Sequence, residues 1–298
     1  MLKACYSDRY FATTPSNSME KLSAIAEKVQ ELKLAQLIEP SAIEPDILRQ
    51  LHAPELVNAF LIGERPLATL QGFQWSERLR DAVLMIQGGQ LLAAEIALHE
   101  GIAANIAQGF HHAGYDYGSG YCTFNGLALI AQQYPDKKIF VLDCDQHGGN
   151  GTGDFAERLN NLFNFTIYGL RFGHLEHDRS LGRGIDRHKG SFSDYYQALL
   201  EGFEYIHQWN TDLIIYQAGV DCHQDDPYGS KWFNTEHLYF RDQLVFEFAK
   251  KYQIPILFVL AGGYQRLDTL TSLHTNTFIA ANKVYFPETV RRFHEGLT

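Results

Sequence analysis

The 298-residue chain has no internal repeat, no low-complexity linker and no cluster of positive charge. Its 25 Lys and Arg are outnumbered by 35 Asp and Glu, giving a net charge of −10. Phosphate contacts need grouped basic side chains, so this balance argues against a nucleic-acid partner. The longest basic pair, Arg291-Arg292, is too small to change that. A mildly acidic surface suits a cationic substrate, although acidity also serves solubility alone. The four cysteines, Cys5, Cys122, Cys144 and Cys222, form no CxxC pair and lack disulfide-like density, so reduced thiols are expected. No apolar run approaches the roughly 20 residues needed to cross a bilayer. The segment Met1–Arg9 carries charges where a signal peptide places its apolar stretch, and a cytoplasmic protein without a membrane partner is the expectation.

What is present is a chain that is 45% hydrophobic, enough for a sizeable core. Its length admits one large α/β domain or two small ones. Strand-like runs are expected at Lys3–Ser7, Gly101–Ala107, Lys138–Asp143, Phe163–Leu170, Asp212–Ala218 and Pro255–Ala261. Helices are expected at Ser18–Leu32, Gln87–His99, Phe124–Gln133, Ser193–Trp209 and Thr235–Tyr252. Loops are expected over Gln108–Tyr121 and, polar and glycine-containing, over Arg171–Gly190. Fully apolar strands separated by helices indicate a mainly parallel sheet covered on both faces. The predicted fold is therefore a single three-layer α/β/α domain spanning 1–298.

Each inner strand ends in a polar or glycine cluster: His111-His112, then Asp143/Asp145/His147, then Asp221-Cys222-His223, then Gly262-Gly263-Tyr264. In open parallel sheets ligands bind beyond the carboxyl ends of the strands. The run Val141-Leu142-Asp143-Cys144-Asp145-Gln146-His147-Gly148-Gly149-Asn150-Gly151 carries the most information. An apolar strand leads into alternating acids and a histidine, then into a flexible glycine-rich loop. Alternation along a strand would put Asp143, Asp145 and His147 on one face. Two carboxylates and an imidazole converging there are costly unless a cation sits between them. Asp145 and His147, with Asp221 as third, are the expected metal ligands. Three N/O ligands and an open position describe a catalytic zinc site. His111 and His112 fit a general acid–base pair oriented by Asp143 and Asn150. Tyr264 would place a phenol where an oxyanion develops.

These residues resemble, in order, the motif set of the histone deacetylase superfamily, which includes acetylpolyamine amidohydrolases and acetoin-utilisation proteins. The matching segments are Gly109-Phe110-His111-His112-Ala113, Gly120-Tyr121-Cys122-Thr123-Phe124-Asn125, Asp143 to Gly151, Gly219-Val220-Asp221 through Asp226-Pro227, and Gly262-Gly263-Tyr264. The resemblance runs from about Tyr6 to about Ala281 and is most specific from Gly109 to Tyr264. It implies an arginase/deacetylase fold and zinc-dependent hydrolysis of an N-acetyl amide on an acetylated lysine or a small acetylated amine, with one Zn²⁺ per chain. Asp145, His147 and Asp221 match the zinc ligands. His112 matches the general base with Asn150 as its orienting partner, His111 the electrostatic histidine paired with Asp143, and Tyr264 the oxyanion donor. Gly120 and Tyr121 match the walls of a narrow acyl-lysine channel, and Gly262 joins them on the substrate side. A structural potassium ion is implied beside Asp143, Asp145 and His147.

Some positions depart from that pattern. Gly148 stands where many members carry a second histidine, and Tyr168 where histidine is common. No residue matches the rim acid that grips a peptide backbone. Other readings of the chain are weaker. A binuclear manganese ureohydrolase needs a carboxylate two residues after Asp221, where His223 stands. A dinucleotide site at Gly151-Thr152-Gly153-Asp154 lacks the tight strand-to-helix turn. A catalytically silent acyl-lysine binder of the same fold is the alternative from another class. Phe73 and Trp75 read as core or rim packing.

Overall fold

A computed structural model describes residues 1–14, 16 and 18–289; Arg291-Arg292 lies outside the described residues. Eight strands make one sheet: β1 (Lys3–Cys5), β2 (Gln36–Ile38), β3 (Ile102–Asn105), β4 (Ile139–Asp143), β5 (Leu162–Tyr168), β6 (Ser180–Gly184), β7 (Leu213–Gln217) and β8 (Ile256–Val259). Their spatial order is β2-β1-β3-β8-β7-β4-β5-β6, and every pairing is parallel. Every residue of β3, β4, β7 and β8 is buried, which explains why these four read as unbroken apolar runs. They are also neighbours at the sheet centre, so the polar clusters that follow them emerge side by side.

Nine helices cover the sheet among the described residues: α1 (Glu20–Glu31), α2 (Pro45–Arg49), α3 (Pro54–Ile62), α4 (Glu77–Glu100), α5 (Gly126–Gln133), α6 (Asn150–Arg158), α7 (Phe192–Gln208), α8 (Thr235–Tyr252) and α9 (Leu267–Tyr285). Helix α4 packs on β1, β3 and β8, α7 packs on β5, and α9 packs on α1 and α8. Local sequence fixes several ends. Ser191 and Asp194 form a capping box at α7, Asn234 and His237 one at α8, and the Asn125 side chain accepts from the first backbone N–H groups of α5.

Four expectations change. Helix α4 begins at Glu77, capped by Ser76, ten residues before the apolar stripe read from Gln87. The charged Glu77, Arg78, Arg80 and Asp81 masked the buried Leu79, Ala82 and Val83. At 24 residues α4 is, among the described residues, the one helix long and apolar enough to span a bilayer, which corrects the expectation that nothing approaches that length. Its most apolar window is 56% buried, as in a core helix. The loop expected over Arg171–Gly190 contains β6, a short edge strand paired in parallel with β5, whose sequence Ser180-Leu181-Gly182-Arg183-Gly184 carries no apolar pattern. The glycine-rich stretch after His147 is only Gly148-Gly149, because α6 starts at Asn150.

A buried imidazole secures the loop that follows β3. His52 Nδ1 donates to the Gly114 carbonyl at 2.8 Å, and Nε2 accepts from the Asn125 N–H at 3.0 Å. Burial, opposed by the Gly114 and Tyr115 backbone contacts, pushes its pKa down to about 4 from 6.5. As pH falls from 6.5 to 4 the unfolded chain takes up a proton that the folded chain refuses, so stability present above 6.5 is progressively lost. The effect is on the order of 3 kcal/mol at full development. His52→Gln should therefore lose less unfolding free energy between pH 6.5 and 4 than the parent in urea titrations. Equal losses would remove His52 from the account of acid sensitivity.

Candidate active site

Turn geometry, rather than strand alternation, builds the centre. Strand β4 stops at Asp143, and the chain then turns so that backbone N–H groups orient the acids. Asp145 N–H donates to Asp143 Oδ1 at 3.1 Å, His147 N–H to Asp145 Oδ1 at 2.9 Å, and Gln146 N–H to Asp221 Oδ1 at 3.0 Å. Asp145, His147 and Asp221 each offer one ligand atom, these atoms lie within 4.8 Å of one another, and all three residues are buried. His147 Nδ1 stands 3.1 Å from both Asp145 Oδ1 and Asp221 Oδ2. Burial favours a neutral His147, yet its hydrogen bonds to Asp145 and Asp221 raise its pKa to about 10. Burial and the Asp145 charge raise Asp221 to about 6. The field between the carboxylates therefore favours a cation, and the O, N, O donor set fits a divalent metal such as zinc.

The histidine pair lies beside this cluster, with ring centroids 3.8 Å apart. His111 Nδ1 is 2.7 Å from Asp143 Oδ2, and His112 Nδ1 is 2.7 Å from Asn150 Oδ1. The two environments push the imidazoles apart. Burial works against protonation of His111, but the charges of Asp143 and then Asp145 outweigh it and raise its pKa. Burial, then the neighbouring His111, hold His112 well below its usual value. One imidazole is thus biased toward its charged form and the other toward its neutral form, the division of labour an acid–base pair requires.

Tyr264 reaches the cluster from the turn after β8, its ring 6.3 Å from that of His147 and 6.5 Å from that of Tyr121. Its N–H donates to Asp226 Oδ2 at 2.8 Å. Burial, then the charges of Asp145 and Asp221, hold the phenol far above its ordinary pKa, so it stays a proton donor. Gly262 has φ +53°, and a Cβ there would lie 2.3 Å from the Asp221 carboxyl carbon. Gly120 has φ +49°, and its Cβ would meet the His112 ring at 2.6 Å. Among the described residues, three of the six non-glycine residues with left-handed backbone, Phe110, Tyr121 and Phe172, border this same space. Such conformations cost about 1–3 kcal/mol each and concentrate where structure is held for function.

The structure adds residues that sequence reasoning missed. Phe172 lies tilted against the His112 ring with centroids 4.0 Å apart, and Tyr228 sits 5.2 Å from His147 and 5.1 Å from Tyr264. Both are partly exposed and belong to irregular segments, so no local signal marked them. Lys21 on α1 is buried, donates to the Gly262 carbonyl and lies 3.2 Å from His274 Nε2. Burial lowers its pKa to about 8, opposed by Asp221, Asp145 and Asp226. A lysine four residues before Ile25 on the apolar stripe of α1 was the available signal. Phe73 is buried and stacks on Tyr121 at 5.0 Å, while Trp75 Nε1 donates to the Phe60 carbonyl at 2.6 Å.

The competing readings lose ground here. His223 contacts Thr235 Oγ1 at 3.0 Å and, among the described residues, is not part of the ligand cluster, so it does not stand in for the carboxylate a binuclear centre needs. Gly151-Thr152-Gly153-Asp154 lies within α6. All four cysteines are buried and unpaired.

The protein is thus a three-layer α/β protein with a candidate divalent-metal centre and a histidine pair at the carboxyl edge of its parallel sheet. The description of the histone deacetylase domain matches residues 15–280, and the chain belongs to the histone deacetylase family. An uncharacterized protein of Picosynechococcus sp. is 32% identical over 84% of this chain and 86% of its own length. Histone deacetylase 2 of Arabidopsis thaliana is 29% identical over 60% of this chain and 48% of its own. The acetylpolyamine amidohydrolase of Mycoplana ramosa is 28% identical over 64% of this chain and 58% of its own. The chain thus spans about half the length of these two named relatives. The crystal structure of an acetylpolyamine aminohydrolase from Burkholderia pseudomallei has the same fold, with a TM-score of 0.78 over 95% of this chain and 99% of that one at 15% identity.

Proposed function

We propose that this protein is a zinc-dependent amidohydrolase that removes an acetyl group from a linear amide on a lysine-like or small amine substrate. The observation that carries this reading is the buried Asp145–His147–Asp221 cluster lying beside two adjacent imidazoles, one anchored on Asp143 and the other on Asn150. A zinc ion held by those three residues supplies Lewis-acid polarisation of the amide carbonyl and lowers the pKa of water. Asn150 Oδ1 accepts the Nδ1 proton of His112, which leaves Nε2 of that ring free to take a proton from the attacking water. The tetrahedral oxyanion then accepts the Tyr264 hydroxyl proton in a hydrogen bond. His111, anchored on Asp143 and biased by it toward the protonated form, stabilises the negative charge that develops. The carbon–nitrogen bond breaks as the proton taken by His112 passes to the leaving nitrogen, giving a free amine and acetate. Tyr121, Phe172 and Tyr228 present aromatic faces along which an aliphatic stem packs.

Acetate release by zinc-loaded protein from an acetyl-lysine peptide and from an acetylated polyamine, side by side and with a chelator control, tests this. Chelator-sensitive release from either substrate is the expected result. No release from either by protein that holds zinc and still binds an acylated ligand would instead make it a silent acyl-lysine binder.

A further inference from the structure

Arg241 on α8 is completely buried, yet its guanidinium does not serve the sheet or the helix interface alone. Nη1 donates to the Gly219 carbonyl at 2.8 Å and to the Cys144 carbonyl at 3.3 Å, and lies 3.5 Å from Cys222 Sγ. Cys144 directly precedes Asp145, Gly219 stands two residues before Asp221, and Cys222 directly follows it. One side chain therefore grips the backbone of both ligand-bearing segments, which arrive from different strands, β4 and β7. The segments touch where it grips, since a Cβ on Gly219 would lie 2.5 Å from Asp145 Cα.

The other face of the guanidinium is fixed as firmly. Nε and Nη2 donate to Asp242 Oδ1 at 3.0 and 2.8 Å, and Asp242 also accepts from the Tyr216 hydroxyl and, at 2.6 Å, from Thr277 Oγ1. The planar fork is thereby held in one orientation, with the charge neutralised by a single acid. For stability alone this arrangement has no evident advantage. A buried ion pair is often matched or bettered by apolar side chains of similar volume. What an apolar side chain would not supply is a pair of directed donors that set the distance between two carbonyls.

We propose that Arg241 is a positioning residue for the metal centre, fixing the separation of Asp145 and Asp221 by holding the Cys144 and Gly219 carbonyls on one guanidinium nitrogen. The inference rests on the metal-site reading above and extends it to a residue that meets neither metal nor substrate. Its donation to Cys144 O also polarises the peptide whose N–H, that of Asp145, orients Asp143. Arg241 thus reaches the orienter of His111 as well.

The test is zinc affinity, measured by competition with a chromophoric chelator, for the parent, Arg241→Met and Arg241→Lys, with urea unfolding and kcat and KM for acetate release measured alongside. Zinc affinity should fall in Arg241→Met by on the order of 10- to 100-fold, the usual cost of losing an outer partner of a metal site. Turnover at saturating zinc should fall in kcat with KM little changed, because the substrate walls are untouched. Arg241→Lys, which keeps the charge but lacks the fork, should lie between parent and Arg241→Met in both. A merely structural arginine would lower unfolding free energy while leaving the zinc affinity of folded protein unchanged, and that result overturns the proposal. Should Arg241→Met fail to fold, unchanged zinc affinity in Arg241→Lys overturns it equally. A parent that binds no zinc would sink the metal-site reading itself. A parent that binds zinc with variants that bind it equally well sinks only the role of Arg241.

Discussion

Asp221→Asn is expected to leave a folded protein that neither holds stoichiometric zinc nor turns over. The residue is fully buried, and its two oxygens have separate duties. Oδ1 accepts the Gln146 N–H at 3.0 Å, and Oδ2 faces His147 Nδ1 at 3.1 Å. An asparagine keeps an oxygen for Gln146 and so preserves the turn that presents Asp145 and His147, but it removes one of the two carboxylate charges proposed to bind the ion. Turnover should fall by at least about 10³-fold, because several kcal/mol of transition-state charge stabilisation go with the metal. Metal content of purified protein and acetate release from the same preparation check the two halves together. Asp221→Ala should be worse still, since it also strands the buried Gln146 N–H. Full zinc occupancy in Asp221→Asn would take Asp221 out of the ligand set.

Tyr264→Phe is expected to separate chemistry from metal binding. The substitution removes one hydroxyl and keeps the ring against His147, Tyr121 and Tyr228, and the backbone N–H that anchors the residue on Asp226 is unaffected. Burial and the neighbouring carboxylates keep the phenol protonated across the accessible pH range, so it acts as a donor and not as a base. Loss of one oxyanion donor costs about 10²- to 10³-fold in turnover. The variant should hold zinc as the parent does, and its kcat should carry the loss. Unchanged turnover would show that the oxyanion is stabilised by other groups.

The residues that converge at the sheet edge were largely legible, for a physical reason. Asp143 ends a fully buried strand and Asp145, His147 and Asp221 follow such strands, where charged groups survive only with partners, so their placement pointed to a shared site. The histidine pair and its partners Asp143 and Asn150 meet as expected, at 2.7 Å each. The route differed, because turn hydrogen bonds bring Asp145 and His147 together where strand alternation had been the expectation. What was not legible depends on contacts distant in sequence. Lys21 is a surface-type residue whose burial follows from a carbonyl 241 positions away. Phe172 and Tyr228 reach the site from polar segments, and Arg241 reads as an ordinary charged residue of an amphipathic helix until the Cys144 and Gly219 carbonyls stand beside it. β6 escaped notice because an edge strand needs only backbone partners.

The most direct test of the central claim is a zinc titration of metal-stripped protein, with acetate release from an acetylated amine followed at each addition. The account expects no release from stripped protein, a rise that tracks occupancy, and a plateau at one zinc per chain that chelator reverses. Release that persists in stripped protein, or that stays absent at full occupancy with every substrate tried, would contradict it.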